Sequence, residues 1–192
     1  MTNQPQIKLD GQKNNLNSEN SSSKKNNPMK AIKIDKITLN IGVGKNEELL
    51  KKGLKLLQKI SPVRPVNTIT KKRIPSWGLR PGLAIGCKAT IRKDSEMVLK
   101  RLLAAKEFKL SGRNFDKQGN ISFGMADYID IEGLEYDPEL KKMGLEVAVT
   151  LKRLGYRVKT RKVKQTAIGK FHQITKEEAI NFAKEKIGVT II

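Results

Sequence analysis

The sequence predicts an α+β fold, in which a largely antiparallel β-sheet carries helices on one face and a long basic loop joins two of its strands. Segments with apolar residues at every second position predict strands with one buried face, and segments with apolar residues at helical spacing predict amphipathic helices. Their order is βαββα, then further strands, then a helix, which favours the α+β class. The second face of the sheet is left free for binding.

The predicted strands follow from alternating apolar residues. Over residues 31–41 the alternation slips at Asp35 and Lys36, which is typical of a bulged strand. The cleanest alternation, over 83–91, predicts a strand with one buried face. Further strands are predicted at 66–70, at 121–125 with a continuation at 129–131, and at 145–151.

Three helices are predicted from their caps and apolar stripes. Asn46 can cap the first helix, which has two glutamates in its first turn and ends before Pro62. Asp94 or Ser95 can cap the second helix. A capping-box pattern, Thr followed three residues later by Glu, opens the last helix at 175–178.

Residues 1–28 predict a disordered polar tail, and residues 29–192 predict one domain. Half of the first 28 residues are Asn, Ser or Gln, and their few apolar residues show no period. Such a segment buries too little apolar surface to offset the entropy lost on ordering. The rest of the chain is long enough and apolar enough to bury the core of one ordinary domain.

The charge of the chain predicts a polyanionic partner. Its 39 Lys and Arg residues against 19 Asp and Glu residues give a formal net charge of +20, which favours nucleic acid or an anionic membrane surface. No apolar run approaches the roughly 18 to 20 residues of a membrane span, and no secretory signal is recognisable. We therefore expect an intracellular protein that binds nucleic acid.

The positive charge is clustered along the chain. Residues 61–113 carry +10 and residues 150–176 carry +9, whereas residues 114–149 carry −5. A generic solubilising surface is the alternative interpretation, but such a surface usually intersperses both signs, and no acidic residue lies within 150–176. Contact with phosphates is the favoured interpretation, and we expect RNA to be absent from the acidic interval.

The loop over residues 71–82 combines four cations with Trp77, the only tryptophan of the chain, and with two prolines and two glycines. Twelve residues are many for a connection between two strands, and long loops in compact domains tend to be functional or disordered. We expect an extended arm. Trp77 either stacks on a base or ribose or packs the loop against its own strands, and the sequence leaves both interpretations open.

Two sequence patterns partly match a nucleotide-binding loop and a carboxylate cluster, but each lacks residues that such a site needs. The Gly-Lys pair at 44–45 has Leu39 where a phosphate-binding loop needs Gly, and Asn46 where it needs Ser or Thr. The carboxylates over 127–139 lack a His or a glycine-rich metal loop and are interpreted as an acidic strand end and turn.

Cys87 and His172 are the only residues of their types, so neither an internal disulfide nor a zinc-finger spacing is available. Cys87 lies on the apolar phase of a strand and is expected to be a buried thiol. His172 is expected to be a structural or phosphate-facing group. We find no catalytic set, metal site or cofactor motif and expect no enzymatic activity.

Three motifs in order resemble the universal large-subunit ribosomal protein L5 family, the 5S rRNA binders. They are KITLNIGVG at 36–44, IGCKATIR at 85–92, and NFDKQGN at 114–120 followed by FG at 123–124. The resemblance runs from about Met29 to the C-terminus, and residues 168–179 resemble the archaeal and eukaryotic branch.

The resemblance implies a non-enzymatic constituent of the large subunit of the cytoplasmic ribosome, located in the central protuberance. It implies binding to 5S rRNA and 23S rRNA, contact between the 71–82 loop and peptidyl-site tRNA, and neighbouring central-protuberance proteins as partners. A small-subunit head protein is a further candidate partner. No membrane, small-molecule substrate, cofactor or metal is implied.

The resemblance carries the family's RNA-contacting Asn and Thr over to Asn40 and Thr90, while Arg64 lies near where the family commonly has Gln. The expected 5S rRNA-binding residues are Asn40, Arg64, Lys88, Thr90 and Arg92. The expected tRNA and 23S rRNA contacts of the loop are Lys71, Lys72, Arg73, Trp77 and Arg80. The further expected rRNA phosphate contacts are Lys152, Arg153, Arg157, Lys159, Arg161, Lys162, Lys164, Lys170 and His172.

Two other classes of protein compete with this interpretation. A free-standing single-stranded RNA-binding module has a similar sheet but stacks bases on sheet aromatics. Here aromatic residues make up only 5% of the chain, and Cys87, Ala89 and Ile91 occupy one phase of the central strand. An RNA-modifying enzyme needs a cofactor motif, and none is found.

Overall fold

A computed structural model describes residues 27–192. All but the last two residues of the predicted tail lie outside the described residues. The described chain forms two compact units, one of residues 27–32 and 153–172 and the other of residues 33–152 and 173–192. The second, larger unit contains the β-sheet.

The chain alternates strands and helices as the sequence predicts. The strands are β1 (Ile32–Gly42), β2 (Val66–Ile69), β3 (Ala84–Ile91), β4 (Lys109–Leu110), β5 (Ile121–Met125), β6 (Leu145–Arg153) and β7 (Thr190–Ile191). The helices are α1 (Glu47–Ile60), α2 (Ser95–Ala104), α3 (Arg157–Thr160) and α4 (Lys176–Phe182), and α4 continues into a π-helical turn, Ala183–Ile187.

Five strands form the main sheet in the order β2-β3-β1-β6-β5. The pairs β2 with β3, β3 with β1, and β5 with β6 are antiparallel. A separate sheet pairs β4 with β7 in parallel. The mostly antiparallel main sheet and its helices confirm the predicted α+β class.

The inner face of the main sheet forms the core. Its strands bury every second residue, as the alternation predicts: Ile37, Leu39, Ile41, Cys87, Ala89, Ile91, Ile121, Phe123, Met125, Leu145, Val147, Val149 and Leu151. Helix α1 packs directly on this face, because a Cβ atom added to Gly53 would lie only 2.9 Å from Cys87 Sγ and 3.7 Å from Ile41 Cγ2. Glycine at this position lets the helix approach the sheet closely.

Two of the three predicted helix caps are confirmed. The Asn46 side chain accepts hydrogen bonds from the backbone amides of Glu48 and Leu49, at 3.0 and 3.3 Å. Thr175 and Glu178 form both hydrogen bonds of a capping box at the start of α4. These bonds satisfy amides that the first helical turn leaves without a partner.

Helix α2 begins where the sequence predicts, but without the predicted side-chain cap. Asp94 occupies the N-cap position but has a left-handed backbone with φ of 52°, and its side chain makes no capping hydrogen bond. Capping side chains normally extend from β-region backbone, so this turn does not aim the carboxylate at the free amides. Ser95, the other candidate cap, is the first residue of the helix and is buried.

The predicted strand continuation at 129–131 is wrong. This segment forms bends and turns in which Ile131 is buried and Ile129 is exposed. Strands β4 and β7 were not predicted, because two-residue strands are too short to show alternation. Their pairing joins residues far apart in the sequence and depends on the fold as a whole.

The NFDKQGN motif forms a tight turn into β5. The Asp116 amide donates to the Asn120 carbonyl oxygen at 2.9 Å, and the Gly119 amide donates to the Asp116 carbonyl oxygen at 3.0 Å. Gly119 has a φ of +77°, and a Cβ atom there would lie 2.6 Å from Ile174 Cγ2. Both the backbone conformation and the neighbouring side chain therefore require glycine.

We predict that Gly119→Ala destabilises the protein by about 2–4 kcal/mol, because the substitution forces a left-handed alanine against a buried isoleucine. The melting temperature followed by circular dichroism should fall by about 5–10 °C. Gly124→Ala is the matched control in β5, since Gly124 is exposed and its added Cβ meets no atom within 4 Å. Equal melting temperatures for the two variants would contradict this account of the turn.

Burial makes Cys87 an unreactive thiol. Its side chain is fully buried, as predicted, and desolvation raises the thiol pKa to about 11. At pH 8 only about one thiol in a thousand is then the nucleophilic thiolate.

We predict that iodoacetamide labels the native protein far more slowly than the denatured protein, and that native labelling accelerates as the pH approaches 11. Similar rates in both states at pH 8 would show that the thiol is accessible.

The same pKa shift has a defined effect on stability. Because the folded-state pKa is raised, the contribution of the buried thiol is fully present below the pKa of the unfolded chain, near 9. It is lost as the pH rises towards 11.

Candidate nucleic-acid interface

The outer face of the main sheet is polar and open. The alternation that buries apolar residues on the inner face directs the intervening residues outward. The outward positions are Lys36, Thr38, Asn40, Val66, Thr68, Lys88, Thr90, Ser122, Gly124, Glu146, Ala148, Thr150 and Lys152. None of these outward positions in the described strands carries an aromatic side chain.

Strand register brings the predicted 5S rRNA-binding residues of β1 and β3 together. Thr38 lies opposite Thr90, and Asn40 lies opposite Lys88, in the antiparallel pair. Asn40 and Thr90 are therefore diagonal neighbours on the same face of the sheet, within reach of a common ligand. Lys88 adds an exposed cation beside them.

The amide of Asn40 is oriented by a residue that sequence reasoning missed. Asn40 Nδ2 donates a hydrogen bond of 2.9 Å to Glu146 Oε2 on β6. Because a carboxylate only accepts hydrogen bonds, this contact assigns the amide nitrogen to Glu146 and leaves Asn40 Oδ1 as an acceptor for a ligand. The outward phase of Glu146 is visible in the sequence, but the adjacency of β1 and β6 is not.

A shallow depression of about 780 Å³ lies at the β5 and β6 side of this face. Neutral polar and apolar groups both line it, and two lysines and one glutamate contribute charges of opposite sign. The lining includes Thr38, Asn40, Lys106, Lys109, Ser111, Asn114, Ser122 and Glu146. The depression therefore combines neutral hydrogen-bonding groups with charges of both signs.

The other cations predicted to bind 5S rRNA flank the sheet strands. Arg64 precedes β2, and Arg92 follows β3 directly. Both side chains are exposed. Among the described residues, no carboxylate forms an ion pair with Arg64, Lys88 or Arg92. These cations are therefore available for phosphates.

The 71–82 loop, predicted to be an extended arm, forms an ordered hairpin. At its base, the Thr70 amide donates to the Leu83 carbonyl oxygen at 2.8 Å, and the Gly82 amide donates to the Thr70 carbonyl oxygen at 2.9 Å. Near its tip, Ile74 and Leu79 form an antiparallel bridge. Leu79 is buried and anchors the tip.

The loop side chains that are predicted to contact RNA are exposed to solvent. A short 3-10 turn, Pro75–Trp77, leaves Trp77 67% exposed. Of the two interpretations left open by the sequence, this exposure favours an available stacking surface over packing against the loop's own strands. The four loop cations, Lys71, Lys72, Arg73 and Arg80, are also exposed.

Lys45 adds a further cation to this loop. Its side chain lies over Gly78, so that a Cβ atom at Gly78 would collide with the Lys45 ammonium group. The sequence offered Lys45 only as part of a failed phosphate-loop motif. Its placement on the loop depends on the glycine at 78, which sequence spacing alone does not reveal.

In the smaller unit, Arg153 and His172 have structural contacts. Arg153 is only 4% exposed, and its Nη1 donates to the His172 carbonyl oxygen at 3.3 Å. His172 Nε2 donates to the Leu154 carbonyl oxygen at 2.8 Å, and its ring lies edge-on to Tyr156 with 5.7 Å between centroids. These contacts favour a role in the fold of the unit.

The remaining predicted phosphate contacts are at the surface. Six of them lie exposed in the 153–172 segment of the smaller unit: Arg157, Lys159, Arg161, Lys162, Lys164 and Lys170. Lys152, in the larger unit, forms an ion pair of 2.7 Å with Asp35. This pairing explains how the strand accommodates Asp35, where the apolar alternation slips.

The acidic segment over 127–139 is tied to α1 by two ion pairs. Lys59 Nζ lies 2.8 Å from Asp137 Oδ2, and Lys55 Nζ lies 3.0 Å from Glu139 Oε2. The hydrogen bond from Lys59 lowers the pKa of the Asp137 carboxyl.

In the part of the chain that the structure describes, no cluster of His, Cys, Asp and Glu side chains is suited to a metal ion. No helix there is long and apolar enough to cross a membrane.

The fold and this surface define a class of protein: a basic α+β protein whose open polar sheet face and cationic loops suit nucleic acid. Family models identify it further. The model for ribosomal protein L5 matches residues 27–80, and the model for the C-terminus of the ribosomal L5P family matches residues 84–182. The chain belongs to the ribosomal protein L5 family, which confirms the resemblance inferred from the three motifs.

Relatives in archaea extend this match over most of the chain. The large ribosomal subunit protein uL5 of Sulfolobus acidocaldarius is 46% identical over 171 residues, covering 88% of this chain and 96% of the relative. The uL5 of Nanoarchaeum equitans is 46% identical, covering 86% and 98%. The uL5 of Nitrosopumilus maritimus is 41% identical, covering 85% and 95%.

Membership of this family assigns the general role. The family consists of structural, non-enzymatic, RNA-binding proteins that serve translation in the cytoplasmic ribosome. The chain is therefore a ribosomal protein and not an enzyme.

Proposed function

We propose that the protein is a structural constituent of the large ribosomal subunit that binds 5S rRNA with the outer face of its main sheet. In this proposal it also contacts 23S rRNA, and the 71–82 loop reaches peptidyl-site tRNA. The proposal is carried by the placement of Asn40 and Thr90 as diagonal neighbours on an open polar face beside Lys88. Neighbouring central-protuberance proteins and a small-subunit head protein complete the proposed set of partners.

The chemistry of the sheet face suits ribose and base edges more than phosphates alone. Asn40 Oδ1 accepts hydrogen bonds and the Thr90 hydroxyl both donates and accepts, which matches the 2′-hydroxyl and the edges of unpaired bases. Glu146 repels phosphate from the β6 side of Asn40, while Lys88 attracts it on the β3 side. The RNA backbone is thus directed towards the β3 half of the face.

The cations outside the sheet supply position and affinity rather than sequence discrimination. Phosphate contacts orient a protein on RNA and make binding strongly dependent on salt. We assign this task to Arg64 and Arg92 beside the sheet and to the exposed cations of the smaller unit. Arg153 and His172 are assigned to the fold of that unit, because their side chains are engaged in its internal contacts.

The 71–82 loop combines exposed cations with an exposed aromatic ring on an ordered hairpin. Such a combination contacts both the backbone and the bases or riboses of a second RNA. Its position on a separate hairpin allows it to engage tRNA and 23S rRNA independently of the sheet face.

The alternative of a free-standing single-stranded RNA-binding module finds no support in the geometry. Such modules stack bases on aromatics that project from the sheet. On the described outer face no aromatic projects, and Phe123 lies on the buried inner face.

We predict that the protein binds 5S rRNA more tightly than an unrelated RNA of equal length, and that Asn40→Ala with Thr90→Ala weakens 5S binding by roughly thirtyfold. Each lost hydrogen bond costs about 0.5–1.5 kcal/mol, so two cost about 2 kcal/mol. Gel-shift titrations at constant salt measure both affinities. Equal affinity of the unaltered protein for the two RNAs would refute the proposed function.

The control for the double variant is Asn181→Ala with Thr190→Ala. Both control residues are exposed and lie outside the main sheet, so they remove the same side chains without touching the proposed site. Both double variants should melt cooperatively near the temperature of the unaltered protein. If the Asn40 and Thr90 variant bound 5S rRNA with unchanged affinity, the sheet face would not be the 5S site.

We predict a different outcome for the loop. Replacing Lys71, Lys72, Arg73 and Arg80 by Ser should leave 5S rRNA affinity within about twofold but impair tRNA binding to the peptidyl site of reconstituted ribosomes, because the hairpin is separate from the sheet face. The charge-matched control replaces Lys51, Lys142, Lys184 and Lys186, which are exposed elsewhere. Collapse of 5S binding in the loop variant alone would instead make the loop part of the primary 5S site.

A further inference from the structure

Phe171 is a fully exposed aromatic residue in the smaller unit. It lies in a 3-10 turn, Lys170–His172, and its relative exposure of 101% is the highest of any large apolar side chain in the described chain. Single exposed apolar residues are common on protein surfaces and carry no inference by themselves. Two further observations, the hydrogen bonds that hold its backbone and the positive charge of its segment, point to a function for this exposed ring.

The backbone that presents Phe171 is held on its C-terminal side by His172. The carbonyl oxygen of His172 accepts hydrogen bonds from Arg153 Nη1 at 3.3 Å and from the Tyr156 hydroxyl at 3.2 Å. The His172 amide donates to the Gly169 carbonyl oxygen at 2.9 Å, and its ring donates to Leu154. Three groups of His172, its carbonyl oxygen, its amide and its Nε2 nitrogen, thus hold the turn through hydrogen bonds.

Gly155 allows the chain to turn so that His172 can contact the Leu154 carbonyl oxygen. Gly155 has a φ of +92°, and an added Cβ would lie 3.6 Å from His172 Nε2. The left-handed turn at Gly155 brings the chain back so that the Leu154 carbonyl oxygen meets the His172 ring. The unit thus holds the turn in place while the Phe171 side chain remains in solvent.

The chain segment that contains Phe171 carries only positive charges. The segment 153–172 contains seven Lys and Arg residues and no Asp or Glu. One of the seven, Arg153, is buried within the unit, and the others are exposed. A surface of this composition attracts a polyanion.

We propose that Phe171 is a stacking platform for an unpaired nucleobase of RNA. The cations of the unit recognise phosphates, but a neutral aromatic ring gains nothing from phosphate and does gain from the π-face of a base. Because the turn is held by His172, stacking requires little further ordering of the protein backbone. This inference rests on the proposed RNA-binding function and deepens it, since the sequence predicted only phosphate contacts for this segment.

Stacking distinguishes RNA with unpaired bases from duplex RNA. In a duplex the base faces are covered by their neighbours, so a duplex offers phosphates but little free π-face. We therefore expect Phe171→Ala to lower the affinity of the full-length protein for single-stranded oligoadenylate about tenfold, and to change its affinity for a duplex of equal nucleotide number by less than twofold. Fluorescence anisotropy at fixed salt measures both.

Three matched variants separate stacking from other effects. Phe171→Leu keeps an apolar side chain without a π-face and should lose most of the single-strand affinity. Val163→Ala removes another exposed apolar side chain of the same unit, 72% exposed, and should change neither affinity. Lys170→Ser should weaken single-strand and duplex binding alike and reduce the salt dependence, because it removes a phosphate contact.

A fluorescent variant tests the contact directly. Phe171→Trp in a Trp77→Phe background carries one tryptophan, whose emission should be quenched when oligoadenylate binds and should change little with the duplex. Circular dichroism melting confirms that each variant is folded, as expected for changes at exposed side chains.

Two outcomes would overturn the inference. Unchanged single-strand affinity in Phe171→Ala, or full affinity in Phe171→Leu, would show that the ring does not stack on bases and would favour an apolar protein partner for Phe171. Neither outcome bears on the 5S rRNA gel shift of the unaltered protein. Conversely, suppose that the unaltered protein binds 5S rRNA no more tightly than an unrelated RNA while Phe171→Ala still lowers the affinity for oligoadenylate. That result would overturn the proposed function and leave the stacking inference standing.

Discussion

The rest of the structure depends on one constraint: in each strand of the main sheet, side chains alternate between the buried inner face and the exposed outer face. Close packing of α1 on the inner face, made possible by Gly53 above Cys87, holds β1 and β3 in one register. A slip of one residue in either strand would turn its apolar side chains into solvent, at a cost of several kcal/mol. The same register directs Asn40 and Thr90 outward as diagonal neighbours. The apolar core therefore specifies the geometry of the proposed RNA-binding face without contributing an atom to it.

Local features of this architecture follow from the sequence, whereas long-range ones do not. Alternation predicts β1, β3, β5 and β6, and side-chain chemistry predicts the caps at Asn46 and Thr175, because both signals lie within a few residues. Glu146 was missed because its contact with Asn40 joins residues 106 positions apart. Arg153 was counted among surface cations because charge counting does not report burial. The cap at Asp94 failed because residue type does not specify a left-handed backbone.

The net charge of +20 separates into groups with different physical tasks. Cations such as Lys88 and Arg92 remain exposed and available to phosphate, while Lys55 and Lys59 bind carboxylates of the acidic segment and are partly neutralised there. Arg153 is withdrawn into the fold of the smaller unit. Net charge alone thus overstates the number of phosphate contacts. The described ion pairs and burial identify which cations are engaged within the protein and which remain exposed to a polyanionic partner.

Both units present an aromatic ring in the same way. In the larger unit, the 3-10 turn Pro75–Trp77 leaves Trp77 exposed beside cations, and in the smaller unit, the turn Lys170–His172 does the same for Phe171. In each case a neighbouring anchor, the buried Leu79 or the hydrogen-bonded His172, restrains the turn. Ordering a mobile aromatic on binding costs conformational entropy. A ring on a restrained turn avoids part of that cost. In the proposed complexes such a ring would therefore contribute more affinity per base than a mobile ring, and the cations around it would supply the attraction that first brings the RNA into contact.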